Sequence, residues 1–448
     1  MERTETIARQ FFTAALEAAD PSRAVGKNGD WIRARHRSGG YSRFLVIGFG
    51  KASVNMAQAL EHSIGDLITG GAVVTKYGHG VGHKLKRIRV FEAGHPVPDE
   101  NGLRATEQII RLAGNADDKT LAVVLVSGGG SALLVSPCQE ISLEEKQSTT
   151  SLLLNAGADI RELNAVRKHI SRVKGGRLAG IIHPATTISL ILSDVIGDSL
   201  DVIASGPTSP DSTTFGAARE TLSRYGLLKR APRAVVDHLE NGCEGLAPET
   251  PKAGAPLFRS VENVIIGSNG MALDAAKKAA EAWGMRAEIL SAELSGEAVE
   301  AGRKLARKAL AAQQRNEGDR PLCLIAGGET TVTVTGPGKG GRNMELALAF
   351  ALEIEGNPGI TLLSAGTDGT DGPTDAAGAV VDGMTVARAR SRGLDPVKCL
   401  HDNDSYNFFR EAGGLVVTGP TGTNVMDIQI MVVDKQRQAK SKGHRAGI

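Results

Sequence analysis

Apolar residues in the first half of the chain fall in short, nearly unbroken runs, not in alternation. Residues 44–48, 72–75, 88–91, 121–127 and 187–193 are rich in Val, Ile and Leu and are bounded by glycine. Runs of this kind suit strands buried on both faces. Helical patterns separate them, among them 52–62 and 161–179, where Leu163, Val166, Ile170 and Val173 recur at helical spacing. Strands alternating with helices predict an α/β fold with a Rossmann-like, mostly parallel sheet. A proline- and glycine-rich stretch, GLAPETPKAGAPL at 245–257, reads as a linker. Beyond it, runs at 263–266, 286–290, 322–326, 331–335, 361–364, 415–418 and 428–433 are more closely spaced, with a helix at 344–355. This half predicts a smaller mixed α/β domain. The expected organisation is an N-terminal domain at 1–250, a C-terminal domain at 259–434 and a basic tail at 435–448. Residues 1–19 read as an amphipathic helix and lack the apolar core of a signal peptide.

Composition changes this picture little. Charge is nearly balanced at +2, so nothing calls for a nucleic acid or a membrane as partner. No apolar run reaches the roughly 20 residues needed to span a bilayer. Cys138, Cys243, Cys323 and Cys399 lack metal-type spacing, which fits a reducing, cytoplasmic setting. The 55 glycines matter more, because they concentrate in loops at strand ends.

Five such loops carry candidate chemistry. In the first, Gly48-Phe49-Gly50-Lys51-Ala52-Ser53, a lysine at a helix start opposes the macrodipole. An anion beside it would offset that cost; a solvated lysine is the plain alternative. In the second, Ser127-Gly128-Gly129-Gly130-Ser131, three glycines let backbone N–H groups gather round an oxyanion, or make a flexible turn. The third carries Asp194 and Asp198, suited to Mg²⁺, to general-base work or to capping. The fourth joins Gly327-Gly328-Glu329-Thr330 to a glycine run ending in Arg342, again a cation where a helix begins. Two such cations from different halves suggest convergence on one phosphate across a cleft, where Arg's planar fork suits a phosphoryl group. The fifth, 366–375, places Asp368, Asp371 and Asp375 among glycines: ligands for a hard cation, a ribose contact or turn geometry. It lacks the twelfth-position glutamate of an EF-hand. On the helix expected at 161–179, Arg167 and Lys174 share a face, which either is solvated or binds a carboxylate or phosphate.

No P-loop, protein-kinase catalytic loop or G-x-S-x-G elbow occurs. The stretches GHPVPDENGLRA (94–105), LVSGGGSALL (125–134), ISLEEKQ (141–147), NAVRKHISRVKGGRLA (164–179), LSDVIGD (192–198), IASGPT (203–208), GGRNMELALA (340–349), SAGTDGTDGPTDAAGA (364–379) and GPTGTNVMD (419–427) resemble the class II glycerate 2-kinase family, some of whose members carry a hydroxypyruvate reductase label. The resemblance runs in order over nearly the whole chain. It implies an active site in an interdomain cleft and a reaction of ATP, a divalent cation such as Mg²⁺, and D-glycerate, giving 2-phosphoglycerate. It implies Lys51 and Arg342 as catalytic residues. Beside them Asp194 is the choice for orienting or deprotonating the 2-hydroxyl. Ser127, Gly128, Gly129, Gly130, Ser131, Arg167 and Lys174 are expected to bind substrate or phosphate, Glu329, Asp368 and Asp375 to touch nucleotide, and Asp198 and Asp368 to meet the metal. The rivals are an NAD(P)H-dependent hydroxypyruvate reductase and a non-catalytic sugar-acid sensor. A homodimer is left open.

Overall fold

The computed structural model describes residues 2–82, 84–315 and 320–434. The tail expected at 435–448 lies outside the described residues. The chain forms two compact units, 20–268 and 1–19 with 269–448.

The unit 20–268 is built on six strands: β1 (Arg43–Phe49), β2 (Gly70–Lys76), β3 (Ile88–Ala93), β4 (Thr120–Val126), β5 (Thr186–Leu192) and β6 (Val261–Gly267). Their order is β3-β2-β1-β4-β5-β6, and every pairing is parallel. The period-two geometry of a strand shows in β1. Leu45, Ile47 and Phe49 enter one apolar cluster, and Phe44 and Val46 enter another. Helices cover both faces, which is why these strands carry no polar alternation.

The second unit holds β7 (Arg286–Leu294), β8 (Leu322–Gly328), β9 (Ile360–Gly366), β10 (Gly378–Asp382), β11 (Leu415–Val416) and β12 (Asp427–Val433). They lie in the order β11-β10-β9-β12-β8-β7, antiparallel except for β7 with β8. The mixed sheet matches the sequence expectation. Among the described residues, no helix is long and apolar enough to cross a membrane.

Four expectations need correction. The run at 263–266 does not open the second domain; it is β6, an edge strand of the first sheet beside β5. The 245–257 stretch is held inside the first unit, where Thr250 Oγ1 donates to Asp211 and the Pro248 carbonyl accepts from Arg177. Composition marked a linker where the chain only loops back to the sheet. The helix Glu2–Ala18, sequence-first, groups with the second unit. The strand expected at 331–335 is absent apart from one bridge, Thr331 with Glu297. The backbone N–H groups of Thr333 and Thr335 go to the side chains of Glu297 and Asn403, so no ladder forms.

Candidate functional site

The first sheet reverses its strand order between β1 and β4, and in such sheets ligands bind beyond the carboxyl ends at that point. The two glycine loops leave the sheet there. Gly50 takes φ 119°, and a Cβ on it would lie 2.4 Å from the Ser127 carbonyl oxygen. Only glycine permits that approach. The loops are then tied: Lys51 N donates to the Gly128 carbonyl at 2.8 Å, and Ala52 N to Ser127 Oγ at 3.1 Å. The helix begins at Ser53 with Ala52 as its cap, so Lys51 precedes the helix instead of lying in its first turn.

Two further groups close on the same glycines. A Cβ on Gly129 would meet His95 Nε2 at 2.8 Å and Lys51 Cγ at 3.4 Å. One on Gly128 would meet Asp194 Oδ2 at 2.5 Å. Thus Lys51, His95 and Asp194, each from the carboxyl end of a different strand, crowd around 127–131. Burial raises the Asp194 carboxyl above its ordinary value, against the pull of the Lys51 ammonium. Burial, and then the charges of Lys51 and Lys76, push His95 down to about 4, so its imidazole is neutral at pH 7. Among the described residues no protein group accepts from the Lys51 ammonium. Asp198 takes φ 53° in the same loop as Asp194, and among the described residues its carboxylate accepts no protein hydrogen bond.

The helix expected over 161–179 breaks. It runs Ile160–His169, and a second begins at Arg177, because Gly175 and Gly176 adopt φ 56° and 80°. Arg167 and Lys174 therefore do not share a helix face, although the Arg167 charge adds to the burial that pushes the Lys174 pKa down. Lys174, wholly buried, donates to the carbonyls of Ser131 and Leu134 and to Ser131 Oγ. It braces the glycine loop. Arg167 lines a cavity of about 350 Å³ with Lys146, Ser131, Gly129 and His95.

In the second unit, Arg342 opens the helix Arg342–Glu353, as expected, but it is not an open cation. Its Nε and Nη2 donate to the two oxygens of Asp427 at 2.6 and 2.9 Å, and its Nη1 lies 2.7 Å from Glu329. These acids hold its pKa above the ordinary value despite burial. The helix N-terminus is taken too: Asn343 N and Met344 N donate to Asp371, whose carboxyl burial pushes up to about 7. The other aspartates of 366–375 are likewise engaged. Asp368 accepts from Thr370 N and Oγ1, and Asp375 accepts from the Tyr406 hydroxyl at 2.7 Å. Turn and cap geometry thus explains this loop. Among the described residues no cluster of three or more His, Cys, Asp or Glu side chains suits a metal ion.

Sequence reading missed His95, Lys146, Asp371 as a cap and Asp427 as partner of Arg342. His95 and Asp427 stand inside the motifs GHPVPDENGLRA and GPTGTNVMD, but no spacing rule singles them out.

Residues 7–240 match a family model described as Domain of unknown function (DUF4147), and 322–427 match the MOFRL family. The chain is 43% identical over 436 residues to D-glycerate 2-kinase of Thermotoga maritima, covering 96% of this chain and 99% of that protein. It is 43% identical over 430 residues to glycerate 2-kinase of Pyrococcus horikoshii, covering 94% and 96%. A crystal structure of glycerate kinase from Thermotoga maritima matches with a TM-score of 0.88 at 43% identity, over 97% of this chain and all of that one. The motifs, the two sheets and these likenesses agree: the chain belongs to the class II glycerate kinase family.

Proposed function

We propose that this protein transfers the γ-phosphoryl group of ATP to the 2-hydroxyl of D-glycerate, giving 2-phosphoglycerate and ADP. The observation that carries the reading is the meeting of Lys51, His95 and Asp194 on the 127–131 loop at the strand-order reversal. The names of the full-length relatives support the substrate and the position phosphorylated.

Phosphoryl transfer asks a protein for positioning and for positive charge around the equatorial oxygens. Lys51 supplies that charge from an ammonium that, among the described residues, makes no hydrogen bond to a protein acid. Asp194 takes the proton of the 2-hydroxyl as its oxygen bonds to phosphorus and the bond to the bridging oxygen of ADP breaks. Neutral His95 donates or accepts a hydrogen bond without competing with Lys51 for the anion. Arg342, the arginine for which the resemblance implies a catalytic role, is oriented by Asp427 and Glu329 within the second unit. A divalent cation fits here as a companion of the nucleotide, since Mg²⁺ is held through one or two carboxylates plus phosphates. The unpaired Asp198 carboxylate would hold it, and when bound it neutralises charge on the phosphates.

Phosphorus NMR of the product formed from ATP and D-glycerate tests the reading; a 3-phosphate, or no phosphorylated acid, overturns it. Asp194 also sets a pH dependence. Its carboxylate is the working form and its pKa is raised, so kcat/KM falls as pH drops through that raised value and does not respond to Asp194 above it. Asp194→Asn should lower kcat by about 10²–10⁴ and remove this acid limb. An unchanged limb in the variant would assign the titration elsewhere.

A further inference from the structure

The cavity beside the Lys51 corner has an unusual floor. Lys146 stands in the first turn of the helix Leu143–Asn155, fixed there by a capping box in which Ser142 Oγ accepts from Glu145 N and the Glu145 carboxylate accepts from Ser142 N. The residue is 4% exposed, and what shows of it faces the cavity. Among the described residues its ammonium has no carboxylate and no carbonyl as partner. Arg167, on the last turn of Ile160–His169, brings a second unpaired cation to the same cavity. Behind them lies Lys174, whose pKa burial and then the charges of Lys146 and Arg167 push well down. No aspartate or glutamate lines the cavity among the described residues. Glu145 is engaged in the cap, and Glu144 is exposed.

Each feature is unfavourable for a free protein. Burial penalises the ammonium, Arg167 repels it, and the helix start opposes it. The first two push Lys146 down to about 8. Among the described residues no acid offsets these costs, but a small anion would. The same cavity is also lined by His95 and Gly129, and a Cβ on Gly129 would meet both His95 and Lys51. Pro96, Val97 and Leu154 give it apolar sides, which sharpen a charge pair by keeping water out.

We propose that Lys146 and Arg167 form the carboxylate-binding subsite of the acceptor, and that Lys146 makes the enzyme select hydroxy acids over neutral polyols. The assignment rests on the kinase reading and sharpens it. In a 2-hydroxy acid the hydroxyl is one carbon from the carboxylate. An acid anchored at the cationic floor therefore turns its 2-hydroxyl toward the His95 and Gly129 end. A nucleotide phosphate is the competing occupant. The commitment to a carboxylate comes from the cavity wall at His95 and Gly129, since Gly129 adjoins Gly128, the glycine that Asp194 approaches.

The test compares wild type, Lys146→Met and Lys146→Arg as full-length protein. Calorimetric binding of D-glycerate without nucleotide is expected to weaken about 30-fold in Lys146→Met, from the loss of one charge-assisted contact. Lys146→Arg should recover most of it. In turnover KM for D-glycerate should rise by a similar factor while KM for ATP stays put. Methyl glycerate, which carries no charge, should bind wild type and Lys146→Met alike. The unliganded Lys146→Met protein should melt higher than wild type, because an unpaired buried charge has gone. Equal D-glycerate affinity in Lys146→Met, a loss confined to ATP, or a lower melting temperature would each overturn the assignment. The kinase reading fails separately: wild type that binds D-glycerate through Lys146 but forms no phosphorylated acid keeps the subsite and loses the reaction.

Discussion

Lys51→Met is expected to lower kcat by about 10³, or about 4 kcal/mol of transition-state stabilisation, with little change in folding stability. The two halves of the expectation have separate grounds. Backbone atoms, not the ammonium, hold Lys51 in place: its N–H donates to the Gly128 carbonyl, and its own carbonyl accepts from Thr75 Oγ1. Among the described residues the ammonium is bonded to no protein group, so methionine deletes a charge without orphaning a partner. The lost charge is felt where the transferred phosphoryl spreads its own, so kcat should fall more than KM rises for either substrate. Arg342 offers no equally clean experiment. Its removal would leave the Asp427 carboxylate, 1% exposed, without its bidentate partner, and stability would fall along with activity. Steady-state kinetics with both substrates, beside a thermal melt, checks the Lys51 prediction. Full turnover in a well-folded Lys51→Met protein would remove the lysine from the reaction.

The sequence announces the sheets because burial on both faces leaves a strong local signal. All five apolar runs of the first half became strands, shifted by at most a few residues. Glycine loops at strand ends announced Lys51, Asp194 and 127–131 for a similar reason: a backbone that must approach another backbone needs glycine, and Gly50 and Gly129 show why. What stayed hidden depends on long-range pairing. Val261–Gly267 reads the same whether it starts a new sheet or edges an old one; only its ladder with β5 decides. The expected helix 161–179 kept its apolar stripe across a break, since Val173 is buried after the helix has ended. Arg342 and Lys51 look alike as cations beside glycines. Asp427, 85 positions downstream, distinguishes them, and no spacing forecasts it. Lys146 stands inside the stretch ISLEEKQ, but no spacing singles it out, because its meaning lies in partners that are absent among the described residues.

Lys168→Met should destabilise the protein by about 3–5 kcal/mol at pH 7, the opposite sign to Lys146→Met. Both lysines are buried in the unit 20–268, and both lie on helices. The difference is the acid opposite. Lys168 Nζ lies 3.1 Å from Asp211 and 3.3 Å from Asp201, with the Asp211 side chain 0% exposed. Asp211 is otherwise satisfied by Thr213 N, Thr213 Oγ1 and Thr250 Oγ1. Burial alone would raise its carboxyl; Lys168 and the Thr213 donors outweigh burial and hold it below the ordinary 3.8. A depressed carboxylate contributes stability that is present above the unfolded value and lost as pH falls through the folded one. The gap between wild type and Lys168→Met should therefore be full at pH 7 and close as pH drops below about 4. Urea unfolding across that range measures it. A gap that stays constant into acid would mean that packing of the lysine stem, and not its charge, stabilises the fold. If the gap closes in acid as expected, buried lysines that look equivalent in the sequence differ in stability through their ligands, and a charge facing no acid becomes the mark of a binding site.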